Sequence, residues 1–128
     1  WSDADDPSAA ESVLAASIAS LRSFESRFGP YPYTNLDVVE MDLNGAVGME
    51  YPGLALVSPA MFDAIDGPNG TFAETVVAHE VAHQWWYGIV GSNQHRHAFL
   101  DEGLAEMAGV AIYLEDRYGR EVADAVWE

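Results

Sequence analysis

His79-Glu80-Val81-Ala82-His83 is the stretch of this chain whose residue types and spacing can do chemistry. Two histidines at i and i+4 on a helix lie about 40° apart around its axis and about 6 Å apart along it. Both imidazoles can then reach one tetrahedral Zn²⁺, which sets the expectation of a single zinc ion per chain. Glu80 lies about 100° round from His79, so it does not compete as a ligand. It is placed to take a proton from a metal-activated water instead.

The neighbouring residues favour a buried helical site over two surface histidines beside a solvated glutamate. Thr71 and Glu74 read as a capping box that opens the helix, and Gly88 reads as its stop. Val77, Ala78, Val81 and Ala82 turn the motif region inward. Downstream, Leu100-Asp101-Glu102-Gly103-Leu104-Ala105-Glu106 starts a second helix and offers Glu102 as a third ligand. Glu106 falls one turn later on the same face. It can hydrogen-bond the outer nitrogen of a ligand histidine and fix its tautomer, or simply face water.

H-E-V-A-H-Q-W-W, then eighteen residues after His83, then the glutamate of L-D-E-G-L-A, resembles the gluzincin zinc peptidases. Within them the chain is most similar to the aminopeptidase N-like branch. Gly48-Met49-Glu50-Tyr51-Pro52-Gly53 resembles that branch's G-x-M-E-N motif, and Phe28-Gly29-Pro30-Tyr31-Pro32-Tyr33 fits its bacterial members. The likeness runs from about Phe24 to about Ala108. It departs from the motif at Val47, where the first glycine would stand, and at Tyr51, which replaces the asparagine.

The resemblance implies zinc held by His79, His83 and Glu102, with Glu80 as general base and later proton donor to the leaving amine. It implies that Glu50 holds the free α-amine of a peptide substrate, with Gly48 and Met49 pairing to the peptide as an added strand. It also places a transition-state tyrosine well after the third ligand, beyond residue 128. Tyr113 and Tyr118 are too close to Glu102 for that role, so this stretch alone is expected to be a poor catalyst. The implied architecture is α+β: residues 1–128 as a single domain, the upper lobe of a thermolysin-like catalytic domain. The lower lobe and the N-terminal domain of the family are absent from it.

The elements that must position these groups can be read in order. After an acidic lead-in from Trp1 to Asp6, Pro7 or Ser8 opens a helix, with Ser8 and Glu11 as a second capping-box pair. Leu14, Ile18, Leu21, Phe24 and Phe28 mark its buried face, and Gly29-Pro30 ends it. Tyr31 to Tyr33 is an extended connector whose tyrosines pack in the core. Leu36 to Leu43 is a strand, Asn44-Gly45 a turn, and Ala46 to Ser58 a second extended stretch whose proline argues for an edge. Pro59 to Ile65 reads as a short helical turn and Ile89 to Phe99 as a connector. The last long helix runs from Leu100 to Tyr118, with Val122 to Trp127 helical again. Trp85 and Trp86 read as core and pocket wall, and Met49 and Met61 as packing. His95-Arg96-His97 reads as surface, with a second metal site as its sharper alternative.

Composition narrows the partners. The 128 residues make one compact domain by length, and they contain no cysteine and hence neither disulfide nor thiolate metal site. Five arginines and no lysine face 21 carboxylates, a formal charge of −16. Such a surface excludes nucleic acid and anionic membrane as partners, and leaves a self-repelling, soluble chain that can attract cationic peptides. No signal peptide and no membrane-spanning run is visible, and the compartment and oligomeric state stay open. The chain starts at Trp1, as a fragment or processed product would. The expected function is zinc-dependent hydrolysis of peptide bonds, removing N-terminal residues. Two alternatives stand beside it: a small gluzincin endopeptidase, and a zinc-stabilised binding module without turnover.

Overall fold

The computed structural model describes residues 7–91, 93–97 and 99–127. The acidic lead-in lies outside them. Helix α1 spans Pro7–Phe28 and ends where Gly29 takes φ 98°, a conformation that glycine adopts without strain. Strands β1 (Asp37–Glu40), β2 (Gly48–Tyr51) and β3 (Leu54–Val57) follow, then α2 (Pro59–Ile65) and α3 (Gly70–Ala82). After a short α4 (Gln94–His97), α5 (Phe99–Glu106) continues through a π-helical turn at Met107–Ile112 into α6 (Tyr113–Tyr118). Helix α7 (Arg120–Trp127) closes the described chain. A small sheet packed on helices is the α+β arrangement expected.

The sheet order is β1-β3-β2, with β1 parallel and β2 antiparallel to β3. The single extended stretch expected after Ala46 is therefore a hairpin, β2–β3, turned at Pro52-Gly53. Apolar β3 lies at the centre and is buried, while β2 is an edge strand. That leaves the outer side of β2, which carries Glu50, facing the cleft beside α3.

Helix α1 buries part of the face its large residues suggest: Phe24 is buried, with Leu21 and Phe28 packed against the same core. Ala9, Val13, Ala16, Ser17, Ser20 and Phe24 turn inward, whereas Leu14 and Ile18 are 59% and 40% exposed. Small residues let α1 approach the other helices closely, and Ser17 and Ser20 satisfy their hydroxyls on the carbonyls of Val13 and Ala16. Leu14, Ile18 and Leu21 instead border a groove with Leu36, Val38 and Phe62.

The capping box expected at the start of α3 does not form. Helix α3 starts at Gly70 after Asn69, without a side-chain cap. Glu74 accepts hydrogen bonds from the hydroxyls of Tyr113 (2.6 Å) and Tyr118 (2.7 Å), so it ties α3 to α6. Ser8 donates to Asp66 at 3.0 Å. At Glu74 a tertiary partner has outcompeted the local one.

Asp116 makes a similar tie between α6 and the end of α1. It accepts from Ser23 Oγ at 2.6 Å and from Arg27 Nε at 3.1 Å. The Arg27 guanidinium, helped by Ser23, holds its carboxyl below the usual range. A depressed carboxyl pKa stabilises the fold above the unfolded pKa, and that stability is lost as pH falls through the folded value. The pair is about a third exposed, so Asp116→Asn should cost only about 0.5–1 kcal/mol near neutral pH. Thermal unfolding of variant and wild type should converge in acid; a gap that widens there would contradict the tie.

Candidate active site

Two core clusters flank the chemistry. Val13, Val57, Phe62 and Val77 fill one; Phe24, Val81, Trp85 and Leu114 fill the other. Val77, Ala78, Val81 and Ala82 are fully buried, as their positions around His79 and His83 suggested. Helix α3 ends at Ala82, so His83 is its C-cap rather than an interior residue, and Gly88 is not its stop. The backbone of His83 is still helical and its N–H donates to the His79 carbonyl at 3.2 Å, which preserves the i, i+4 relation.

The Nε2 atoms of the two histidines lie 3.1 Å apart. Glu102 brings one carboxylate oxygen to 3.2 Å from His79 Nε2 and the other to 3.7 Å from His83 Nε2. The outer nitrogens settle the tautomers. His79 Nδ1 faces Glu106 Oε2 at 3.1 Å and His83 Nδ1 faces the Trp86 carbonyl at 3.1 Å. Both partners only accept, so both Nδ1 atoms donate, and in the neutral rings both Nε2 atoms present lone pairs. Two lone pairs and a carboxylate converging at this range repel one another unless a cation sits among them. Tetrahedral coordination with bonds of about 2.1 Å requires ligands about 3.4 Å apart, and the observed spacings bracket that figure. The donor set fits a metal ion.

Glu106 is thus brought to the place expected of it. Its carboxylate contacts His79 Nδ1, an arrangement that would orient the ring and make its Nε2 a stronger ligand for a metal. Glu106→Ala should weaken metal affinity by about 10- to 100-fold, measured by competition with a chelator. Unchanged affinity would reduce Glu106 to a solvated helix residue.

Two glycines permit the close approaches at the site. A Cβ on Gly109, in the π-helical turn, would lie 2.7 Å from His79 N and 2.8 Å from its Cα. Glycine there lets the helix that carries Glu102 and Glu106 rest directly on the backbone of His79. A Cβ on Gly48 would collide with the Glu80 carboxyl.

Glu80 is 5% exposed, and its Oε2 is buried without a hydrogen-bond partner. Burial first, then the charges of Glu50 and Glu102, push its pKa up to about 8. A cation at the neighbouring ligands acts in the opposite direction. Glu50, Glu80 and His83 bring ligand atoms within 4.8 Å of one another, so the strand and the helix converge on one place. Around it lies a cavity of about 520 Å³ lined by these groups and by apolar Val47, Phe72, Val76 and Val110.

Other expectations land elsewhere. Gly48 and Glu50 face the cavity, but Met49 and Tyr51 alternate to the exposed side of β2, so Met49 is neither packed nor in the lining. Met61 is buried. Trp85 is core, edge-on to Phe24 and Phe28, and Trp86 packs on Phe28; neither lines this cavity. Arg96 and His97 are exposed on α4, and His97 joins no metal-competent group among the described residues. The side chain of His95 lies outside the described residues.

The fold and site meet a known family. Residues 13–127 match the peptidase family M1 domain. Aminopeptidase M1-B of Oryza sativa subsp. japonica is 33% identical over 98 residues, covering 73% of this chain and 11% of the relative. Aminopeptidase M1 of Arabidopsis thaliana is 35% identical over 100 residues, with the same coverage. Aminopeptidase 2 of Candida albicans is 35% identical over 98 residues, covering 71% and 11%. No solved structure is a significant match. The chain belongs to peptidase family M1, the aminopeptidase N-like gluzincins. It spans about one-ninth of the length of these relatives. No helix among the described residues is long and apolar enough to cross a membrane.

Proposed function

We propose that this chain is the zinc- and amine-binding upper lobe of an aminopeptidase's catalytic domain, removing N-terminal residues from peptides. The observation that carries this reading is the ring of His79, His83 and Glu102 beside Glu80 and Glu50 in one cavity. His79, His83 and Glu102 would hold one Zn²⁺. When bound, zinc supplies Lewis acidity, which acidifies water and polarises the scissile carbonyl. Glu80 takes the proton of the attacking water on its carboxylate and returns it to the leaving amine nitrogen. Its burial keeps that carboxylate basic and poorly hydrated. Glu106 and the Trp86 carbonyl hold the ligand rings in the tautomer the site needs. Glu50 receives the substrate's α-amine from the edge strand β2, and the apolar wall takes side chains.

A non-catalytic module has no use for a buried base beside the metal ligands, so Glu80 favours an enzyme. Glu50 favours an exopeptidase over an endopeptidase, because a carboxylate in the cavity lining suits a terminal cation. The test compares free-amine and N-acetylated peptides in the protein carrying this chain, with and without a chelator. Hydrolysis confined to free-amine substrates and abolished by chelation is expected. Equal hydrolysis of both would make it an endopeptidase, and activity that survives verified metal removal would reject the zinc reading.

A further inference from the structure

We propose that Gln84 is the positioning residue that sets the substrate strand against the metal centre. Gln84 directly follows ligand His83 and is 1% exposed. Its carboxamide grips the turn between β2 and β3. Oε1 accepts the Gly53 N–H at 2.8 Å, and Nε2 donates to the Tyr51 carbonyl at 3.0 Å. A carbonyl needs a donor and an N–H an acceptor, so the partners fix which end of the amide is which. Gln84 therefore satisfies two backbone groups on either side of Pro52. The turn is held from its other side by the Asp37 N–H, which donates to the Gly53 carbonyl at 3.0 Å.

The covalent neighbours give the clamp its consequence. Glu50 precedes Tyr51, and His83 precedes Gln84. One side-chain hydrogen bond thus joins the residue proposed to hold the amine to a residue proposed to hold the metal, with no flexible segment between. The same two residues, with Glu80, bring ligand atoms within 4.8 Å of one another. Edge strand β2 has β3 on one side only, so on the Tyr51 side of the turn Gln84 is the contact that ties the hairpin end to α3. A shift of about 1 Å at a reacting centre can cost about 10²-fold in rate.

The inference rests on the aminopeptidase reading, and its test separates the two. Gln84→Leu keeps much of the volume and removes both hydrogen bonds; Gln84→Glu keeps the shape and the acceptor but loses the donor. Each is made in the protein carrying this chain. The expected result is a loss of about 10- to 100-fold in kcat/KM for free-amine peptides, chiefly through KM. Discrimination over acetylated peptides should fall, while zinc affinity by chelator competition stays within about threefold of wild type, because no ligand contact is touched. Wild type that does not prefer free amines refutes the functional reading and not the clamp. With that preference present, the clamp is overturned by unchanged discrimination or by zinc affinity falling in step with activity. Failure of both variants to fold also overturns it, since Gln84 would then serve the fold alone.

Discussion

Glu80→Gln is expected to retain the metal and to lose at least about 10²-fold in turnover. The substitution keeps the size and most of the shape of the side chain, which matters because its carboxyl rests against Gly48 with no space for a Cβ. It removes the only feature the proton transfer needs, a basic oxygen. The proposed ligands are His79, His83 and Glu102, so their spacing and the Nδ1 contacts to Glu106 and Trp86 are untouched. Metal content should therefore match wild type. The substitution also removes one of three crowded carboxylates, the one pushed up to about 8 by burial, Glu50 and Glu102. The metal-free variant should accordingly be no less stable than metal-free wild type. Turnover and metal content measured together decide the matter: retained activity at normal metal content would take Glu80 out of the proton's path.

What could be read from the sequence was the chemistry that depends on local geometry. The spacing of His79 and His83 survives even though α3 ends between them, because the His83 N–H still donates to the His79 carbonyl. Glu102 and Glu106 fall on one face because they are one helical turn apart. What could not be read depends on distant partners. Glu74 looks like a cap and is a receiver for two tyrosines 39 and 44 residues away. The large residues of α1 suggest a buried stripe; it holds at Phe24, Leu21 and Phe28, but Leu14 and Ile18 are exposed where the helix buries alanine and serine instead. Gln84 lacks any periodic signal; its only hint is a polar residue between His83 and Trp85, where burial demands two partners. The π-helical turn and Gly109 are invisible to a pattern of period 3.6, because the contact they make is with a backbone atom of another helix.

Glu50→Ala decides between exopeptidase and endopeptidase. Glu50 on β2 pairs in register with Ala55 of β3, and it lines the cavity beside Glu80 and His83. A peptide's α-amine has a reference pKa of about 7.7–8.0, so it is largely cationic near neutral pH. Held by a carboxylate in a water-poor cleft, it makes a charge-assisted hydrogen bond. Truncating one partner of such a pair typically costs about 2–5 kcal/mol, or about 30- to several-thousand-fold in affinity. Register follows from the same contact, since an amine fixed at Glu50 leaves only the first peptide bond within reach of Glu80. An acetylated peptide has no cation to offer, so it should lose little. Removing Glu50 also lowers the negative charge around Glu80, whose pKa should fall toward its ordinary value. The measurement is kcat/KM for both substrate types, with folding and metal content checked alongside. Equal losses for both would make Glu50 a structural residue of the sheet, and no loss for either would leave a metallopeptidase without an amine site.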